Sequence, residues 1–219
     1  MQIFHIRSLL IGIFLGLLSN ALWFAEINWI VGWEGFDWVS HIHYSVFIIA
    51  LLSVFSYALP LRFIRNISLK QFWQATLEMY PATLVAFFLA KTILFSIYTQ
   101  LYGYLNGNAL LALLLVVVLL IAFSIHFVTK KTLHRVRWGH GFFIALGIVT
   151  VVPLSILTVR LLPGFGEHKG FVDAVKMGYP FFWITVMMGL LGMRTAMWKP
   201  ESDVNVTQED ILDDFSEED

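Results

Sequence analysis

Six apolar stretches, each close to the length of a membrane-spanning helix, constrain the fold of this 219-residue chain more than any other feature. A hydrocarbon core about 30 Å thick is crossed by about 20 helical residues. Lipid cannot hydrogen-bond an irregular backbone, so each stretch must be helical. We place the spans near 8–27, 43–63, 82–104, 108–129, 139–162 and 179–198. The predicted fold is an all-α integral membrane protein, a single bundle of six transmembrane helices.

The composition agrees with a lipid environment. Hydrophobic residues make up 58% of the chain and charged residues 13%. A soluble domain is typically about 45–50% apolar and about 25% charged. The chain has no cysteine, which excludes disulfides, thiolate metal sites and a cysteine nucleophile.

Basic residues in the loops predict the orientation, because cytoplasmic loops carry an excess of Lys and Arg. With the N-terminus inside, the inner side collects Arg7, Arg62, Arg65, Lys70, Lys130, Lys131, Arg135, Arg137, Arg194 and Lys199. The outer side then collects only Arg160, Lys169 and Lys176. We therefore predict that both termini are cytoplasmic, in a bacterial cytoplasmic (inner) membrane.

The first span starts after Arg7 and contains Ser19-Asn20-Ala21, which resembles a signal-peptide cleavage site. The apolar run continues past this site to Ala25, so we predict an uncleaved helix. Gly12 and Gly16 form a GxxxG pair, which lets helices approach closely. We expect this face to pack within the bundle rather than against a second copy.

Two prolines predict irregular helices. The segment 68–79 has apolar residues at helical spacing and predicts a short interfacial amphipathic helix that turns into span three at Pro81. Pro153, near the middle of span five, removes a backbone donor and should kink that helix. Thr150 lies nearby as a local hydrogen-bonding partner.

Charge is segregated between a membrane domain, residues 1–198, and an acidic cytoplasmic tail, residues 199–219, which carries one lysine against nine acids. So charged a segment is expected to be disordered. The sharper hypothesis is a docking peptide: Thr207 and Asp210 could cap a short helix for a partner. Its apolar contacts would be Ile211, Leu212 and Phe215.

An aromatic, acidic segment from Trp23 to Tyr44 is predicted at the outer surface; its candidate functional residues are Glu34, Asp37, His41 and His43. In a helix, Asp37 and His41 would meet at i, i+4. In an extended chain, the two histidines would share one side and could bind a metal with Asp37 or Glu34. The structural alternative is that Asp37 caps span two and the tryptophans form an interfacial belt.

Three further groups are candidates inside or beside the spans. Lys91 falls within span three, where a lysine is costly and is either functional or directed toward the interface. His126 and His140 lie near the inner ends of spans four and five, at a depth suited to a bis-histidine haem b. The basic inner loop predicts contact with anionic lipid through Lys130, Lys131, Arg135 and Arg137.

Enzyme motifs are absent from the sequence: it has no GxSxG, HExxH, P-loop or GxGxxG pattern. We predict a non-catalytic membrane subunit of a transporter or larger membrane complex, with no cofactor, other protein subunits as partners and no nucleic-acid role. The alternatives are a redox or metal-binding membrane protein that uses its histidines, and a membrane-embedded enzyme with Asp37 and His41 as acid and base.

Overall fold

The computed structural model describes residues 2–26, 44–98, 107–133, 136, 139–161 and 169–197. This part of the chain is 95% helical and has no strand, which confirms the all-α class. Its helices are α1 (Gln2–Ala25), α2 (Tyr44–Ile64), α3 (Leu69–Tyr98), α4 (Gly107–Leu133), α5 (Gly139–Val149), α6 (Val151–Leu161) and α7 (Lys169–Met197).

Four helices are long and apolar enough to cross a membrane. The segments are Ile6–Ala25 of α1, Tyr44–Ile64 of α2, Leu115–Leu133 of α4 and Gly178–Met197 of α7. They coincide with predicted spans one, two, four and six. Gly139–Ser155 is apolar but shorter. Large apolar side chains on the outside of these helices, such as Phe14 at 65% exposed, are suited to contact with lipid.

Helix α7 packs against α1, α2, α5 and α6, and glycines allow the closest of these approaches. A Cβ atom at Gly189 would lie 3.4 Å from the Cα atom of Gly12 on α1. One at Gly16 would lie 2.8 Å from Val186 and 2.9 Å from Phe182, both on α7. The GxxxG face of α1 is therefore a packing face within the bundle, as the sequence predicted.

The contact between α7 and α2 is closer still. A Cβ atom at Gly192 would overlap the backbone carbonyl of Tyr57. Backbone atoms cannot move aside as the end of a flexible side chain can, so this crossing requires glycine. The crossing sets the distance between all the side chains of α2 and α7 near this level.

Helix α3 corrects the prediction of a separate interfacial helix near 68–79. One helix, Leu69–Tyr98, runs through Pro81. It begins with a reciprocal cap, in which the Gln71 amide donates to Ser68 Oγ (3.2 Å) and the Ser68 amide to Gln71 Oε1 (2.9 Å). A continuous buried face explains why a single proline does not end the helix; its residues are Phe72, Ala75, Thr76, Met79, Thr83 and Ala86.

The predicted irregularity at Pro153 is present. Helical structure is interrupted at Thr150, between α5 and α6. The Thr150 hydroxyl donates to the carbonyl of Gly147 at 2.6 Å. Backbone hydrogen bonds of the α-helical type continue across the break, since Thr150 N bonds Leu146 O and Leu154 N bonds Thr150 O, both at 3.2 Å.

The α2–α7 crossing predicts that Gly192→Ala destabilises the protein. The added methyl group would force the two backbones apart, and overpacking of this kind costs about 1–3 kcal/mol. Thermal unfolding of the purified protein in detergent measures the effect as a lower Tm.

Gly139→Ala is the matched control, because a Cβ atom there would meet nothing within 4 Å. Its Tm should stay at the wild-type value or rise, since alanine favours helix more than glycine does. Equal Tm values for the two variants would contradict the close crossing.

Candidate functional site

Five buried polar side chains from four helices meet in one place, which we name the histidine cluster. It consists of Tyr57 (α2), His126 and Thr129 (α4), His140 (α5) and Thr195 (α7). None of them is more than 2% exposed. A buried polar group is costly unless it is hydrogen-bonded, so the contacts between these side chains determine what the cluster can do.

Helical spacing brings these residues together. His126 and Thr129 are three residues apart and therefore lie on one face of α4. Thr195 lies three residues after Gly192, on the face of α7 that touches α2. The close crossing at Gly192 thus places the Thr195 hydroxyl beside Tyr57.

The cluster is joined by hydrogen bonds between side chains. His140 Nε2 lies 2.7 Å from Thr195 Oγ1, and Thr195 Oγ1 donates to the carbonyl of Leu191 at 2.8 Å. The Tyr57 hydroxyl lies 2.9 Å from Thr129 Oγ1 and 3.4 Å from Thr195 Oγ1.

The two histidines face each other. His126 Nδ1 and His140 Nδ1 are 3.4 Å apart, and the ring centroids are 5.6 Å apart. The sequence prediction placed these residues at similar depth on neighbouring helices, and the structure brings them into contact. The sequence alone could not identify Tyr57 and Thr195 as their partners, since ordinary tyrosines and threonines occur throughout the chain.

Binding of haem b by His126 and His140 stays a prediction, and it would require the two rings to move apart. Two axial ligands with metal–nitrogen bonds of about 2.0–2.1 Å would hold their nitrogens about 4 Å apart, with the macrocycle between them. Here the Nδ1 atoms lie only 3.4 Å apart, in direct contact. His140 Nε2 faces Thr195 at 2.7 Å rather than an open cleft.

A second polar group, the hydroxyl cluster, consists of Ser19 (α1), Ser53 (α2) and Thr185 (α7). Thr185 Oγ1 lies 3.1 Å from Ser19 Oγ and 3.0 Å from Ser53 Oγ. All three side chains are fully buried. Thr185 precedes Thr195 by ten residues of one helix, so about 15 Å separates the two clusters along α7.

Glu26 is a buried carboxylate whose role the sequence did not reveal. It is 2% exposed and accepts hydrogen bonds from the amides of Tyr44 (2.6 Å) and Ser45 (2.8 Å), as well as from the Ser45 hydroxyl. These are the first amides of α2 in the described chain, so Glu26 caps that helix. The signal was weak, because the cap acts across 18 residues of sequence.

Most of the other predicted site residues lie outside the described part of the chain. This applies to Glu34, Asp37, His41 and His43 of the outer segment and to Ile211, Leu212 and Phe215 of the tail. Lys91 lies in α3, but its side chain is outside the described part. Their proposed roles stay predictions.

The basic residues of the inner loop are only partly described. Lys131 Nζ lies 2.6 Å from Glu78 Oε1 and ties α4 to α3. Lys130 is exposed, and Arg135 and Arg137 lie outside the described residues. Contact of these four residues with anionic lipid stays a prediction, in which Lys131 also has a protein partner.

The hydrogen bond from Lys131 lowers the pKa of Glu78 from its ordinary value of 4.5. A lowered folded-state pKa contributes stability above the unfolded pKa, and this contribution is lost as the pH falls through the folded pKa. Glu78→Gln should therefore lower Tm at neutral pH, by no more than about 3 °C for so exposed a pair. The difference should vanish in acid, well below pH 4.5.

The double variant Glu78→Gln/Lys131→Gln is the control. If the pair acts as described, adding Lys131→Gln to Glu78→Gln should change Tm little. Additive effects of the two substitutions would show that these residues do not interact.

No protein-family model, no curated protein and no solved structure matches this chain. Its function is therefore inferred from its own chemistry: an all-helical protein with four helices apolar enough to cross a membrane and, between them, a buried cluster of two histidines with hydroxyl partners.

Proposed function

We propose that this chain is a non-catalytic membrane protein that acts as a membrane subunit of a transporter or larger membrane complex. The observation that carries the proposal is the histidine cluster, in which His126 and His140 are buried among apolar helices. Ionisable side chains are costly inside a membrane, and they mark paths for ions and protons in such proteins. In this proposal, the histidine cluster is the functional site.

Six spans with both termini cytoplasmic complete the proposed architecture. Two helix lengths support spans three and five, in addition to the four apolar helices. The 30 residues of α3 extend about 45 Å. Helices α5 and α6 together run from Gly139 to Leu161, about 34 Å if counted as one rod. Both exceed the thickness of about 30 Å that a bilayer core requires.

The remaining features have roles in the same proposal. The acidic, aromatic outer segment would attract a cation or a basic partner surface, because Glu34 and Asp37 have no Lys or Arg near them in the sequence. Lys91 and this outer segment would together line the functional surface of the protein. The tail 199–219 would bind a cytoplasmic partner, and the membrane would be a bacterial inner membrane.

The topology can be tested on a natural cysteine-free background. Single cysteines are introduced by Ser68→Cys, Asn106→Cys, His134→Cys and Gly166→Cys, at the ends of spans three to five. An impermeant maleimide should label them alternately from the inner and outer sides of sealed vesicles. Labelling of positions 68 and 106 from the same side would exclude a third span, and labelling of 134 and 166 from the same side would exclude a fifth.

The function is tested by extraction of the tagged 25.1-kDa chain from its native membranes in mild detergent. We expect a complex of fixed stoichiometry that deletion of 203–219 weakens. His126→Gln/His140→Gln should leave the complex assembled but abolish its transport in membrane vesicles. A chain that migrates alone, or a complex that transports normally without both histidines, would contradict the proposal.

A further inference from the structure

We infer that His126 and His140 together bind a single proton, and that the proton is the ion on which the histidine cluster acts. This inference rests on the proposed function and names the ion that the functional site takes. It is carried by the geometry of the two rings and of the threonine that holds one of them.

Thr195 determines which nitrogen of His140 carries hydrogen. A hydroxyl has one hydrogen, and Thr195 donates it to the Leu191 carbonyl at 2.8 Å. With that hydrogen assigned to the carbonyl, the Thr195 oxygen accepts from His140 Nε2 at 2.7 Å. Neutral His140 thus has its hydrogen on Nε2 and a bare lone pair on Nδ1.

The lone pair of His140 Nδ1 points toward the other histidine. His126 Nδ1 is its neighbour at 3.4 Å, which is longer than the usual hydrogen-bond length of about 3.0 Å. A proton on His126 would make this contact an N–H···N bond to His140 with a charged donor. Charge-assisted hydrogen bonds are shorter and stronger than neutral ones, so uptake of one proton would draw the rings together.

A second proton is disfavoured by charge. It would occupy His140 Nδ1 and turn two N–H groups toward each other, on rings whose centres are 5.6 Å apart. His140 is also the second residue of α5, where the positive end of the helix dipole opposes a cation. The single positive charge therefore belongs on His126.

Charged and titratable side chains lie near the pair on α2, α4 and α7. Tyr57 faces the pair from α2, and Lys130 acts on His126 from the same helix, α4. On α7, Arg194 adjoins Thr195 and is exposed. The charge of Lys130 opposes a positive charge on His126, and the dipole of α5 opposes one on His140, so the pair resists holding two protons.

Within the described residues, neither an acidic side chain nor a metal site offers another function for the histidine cluster. The two described acidic side chains are engaged elsewhere, Glu26 as the cap of α2 and Glu78 in the pair with Lys131. The same residues contain no group of three or more His, Cys, Asp or Glu that could hold a metal ion. Two histidines with hydroxyl partners suit a proton better than a metal.

The cluster lies near helix ends. His140 is the second residue of α5, and Thr129 lies four residues before the end of α4. In the proposed orientation, these ends face the cytoplasm.

The inference is tested by nitrogen NMR of the full chain in lipid bilayers with ¹⁵N-labelled histidine. The titration runs from about pH 4 to pH 9, which brackets the ordinary histidine pKa of about 6.5. His126→Gln and His140→Gln assign the signals. We expect His140 to have hydrogen on Nε2 throughout, and the pair to take up one proton. Uptake of two protons in this range, uptake of none, or a hydrogen on Nδ1 of neutral His140 would overturn the inference.

Thr195 is a positioning residue in this account, and it can be tested without removing either histidine. Thr195→Val should let His140 exchange the position of its hydrogen between Nε2 and Nδ1, and Thr195→Ser should restore the wild-type spectrum. Thr185→Val is the matched control, because it makes the same change ten residues away on α7, in the hydroxyl cluster. Equal spectral changes in both valine variants would overturn the role of Thr195.

A second measurement separates this inference from the proposed function. Proteoliposomes that contain the purified complex are given a pH gradient, and proton entry is followed with a trapped pH-sensitive dye. One-proton binding without proton flux would support the inference and contradict the transport function. Loss of proton flux in His126→Gln/His140→Gln, together with uptake of two protons or none in the NMR titration, would overturn the inference while leaving a transport function in place.

Discussion

The close crossing of α2 and α7 at Gly192 is the contact on which the interior of the bundle depends. With no side chain there, the α7 backbone lies against the carbonyl of Tyr57. Three residues later, Thr195 reaches both the Tyr57 hydroxyl and His140. A wider crossing would move Thr195 away from His140 and leave a buried imidazole nitrogen without its acceptor, at a cost of several kcal/mol in a medium that resembles hydrocarbon. The packing of α7 against α2 and the hydrogen bonds of the histidine cluster therefore depend on the same close crossing.

Threonine and serine are the polar residues that such an interior tolerates best. Thr185 and Thr195 each donate to the carbonyl four residues earlier, which satisfies the hydroxyl hydrogen within the helix. Each hydroxyl oxygen has two lone pairs with which it can accept hydrogen bonds from neighbouring helices. In the hydroxyl cluster these contacts join three helices; in the histidine cluster they fix the orientation of a ring. The same residue type thus has a structural role at one level of α7 and a positioning role at another.

The sequence predicted features that depend on local pattern, and it missed those that depend on contact between distant segments. The lengths of the apolar stretches predicted the fold class, and Pro153 predicted the irregularity between α5 and α6. The predicted spans placed His126 and His140 at similar depth, but they did not indicate that Thr195 orients one of them. The sequence also could not show that Glu26 caps α2, because no local pattern links residues 18 positions apart. The prediction of a separate helix before Pro81 was wrong, because a continuous buried face keeps α3 helical through this residue.

The central claim is that two imidazole rings from α4 and α5 touch inside the bundle. Solid-state NMR of the protein in lipid bilayers, with ¹³C-labelled histidine, measures this contact directly. We expect a ring-to-ring cross-peak between His126 and His140, whose centroids lie 5.6 Å apart. The peak should disappear in His126→Gln and persist in Thr185→Val. Its absence from the wild-type protein, with both histidine signals resolved, would contradict the account.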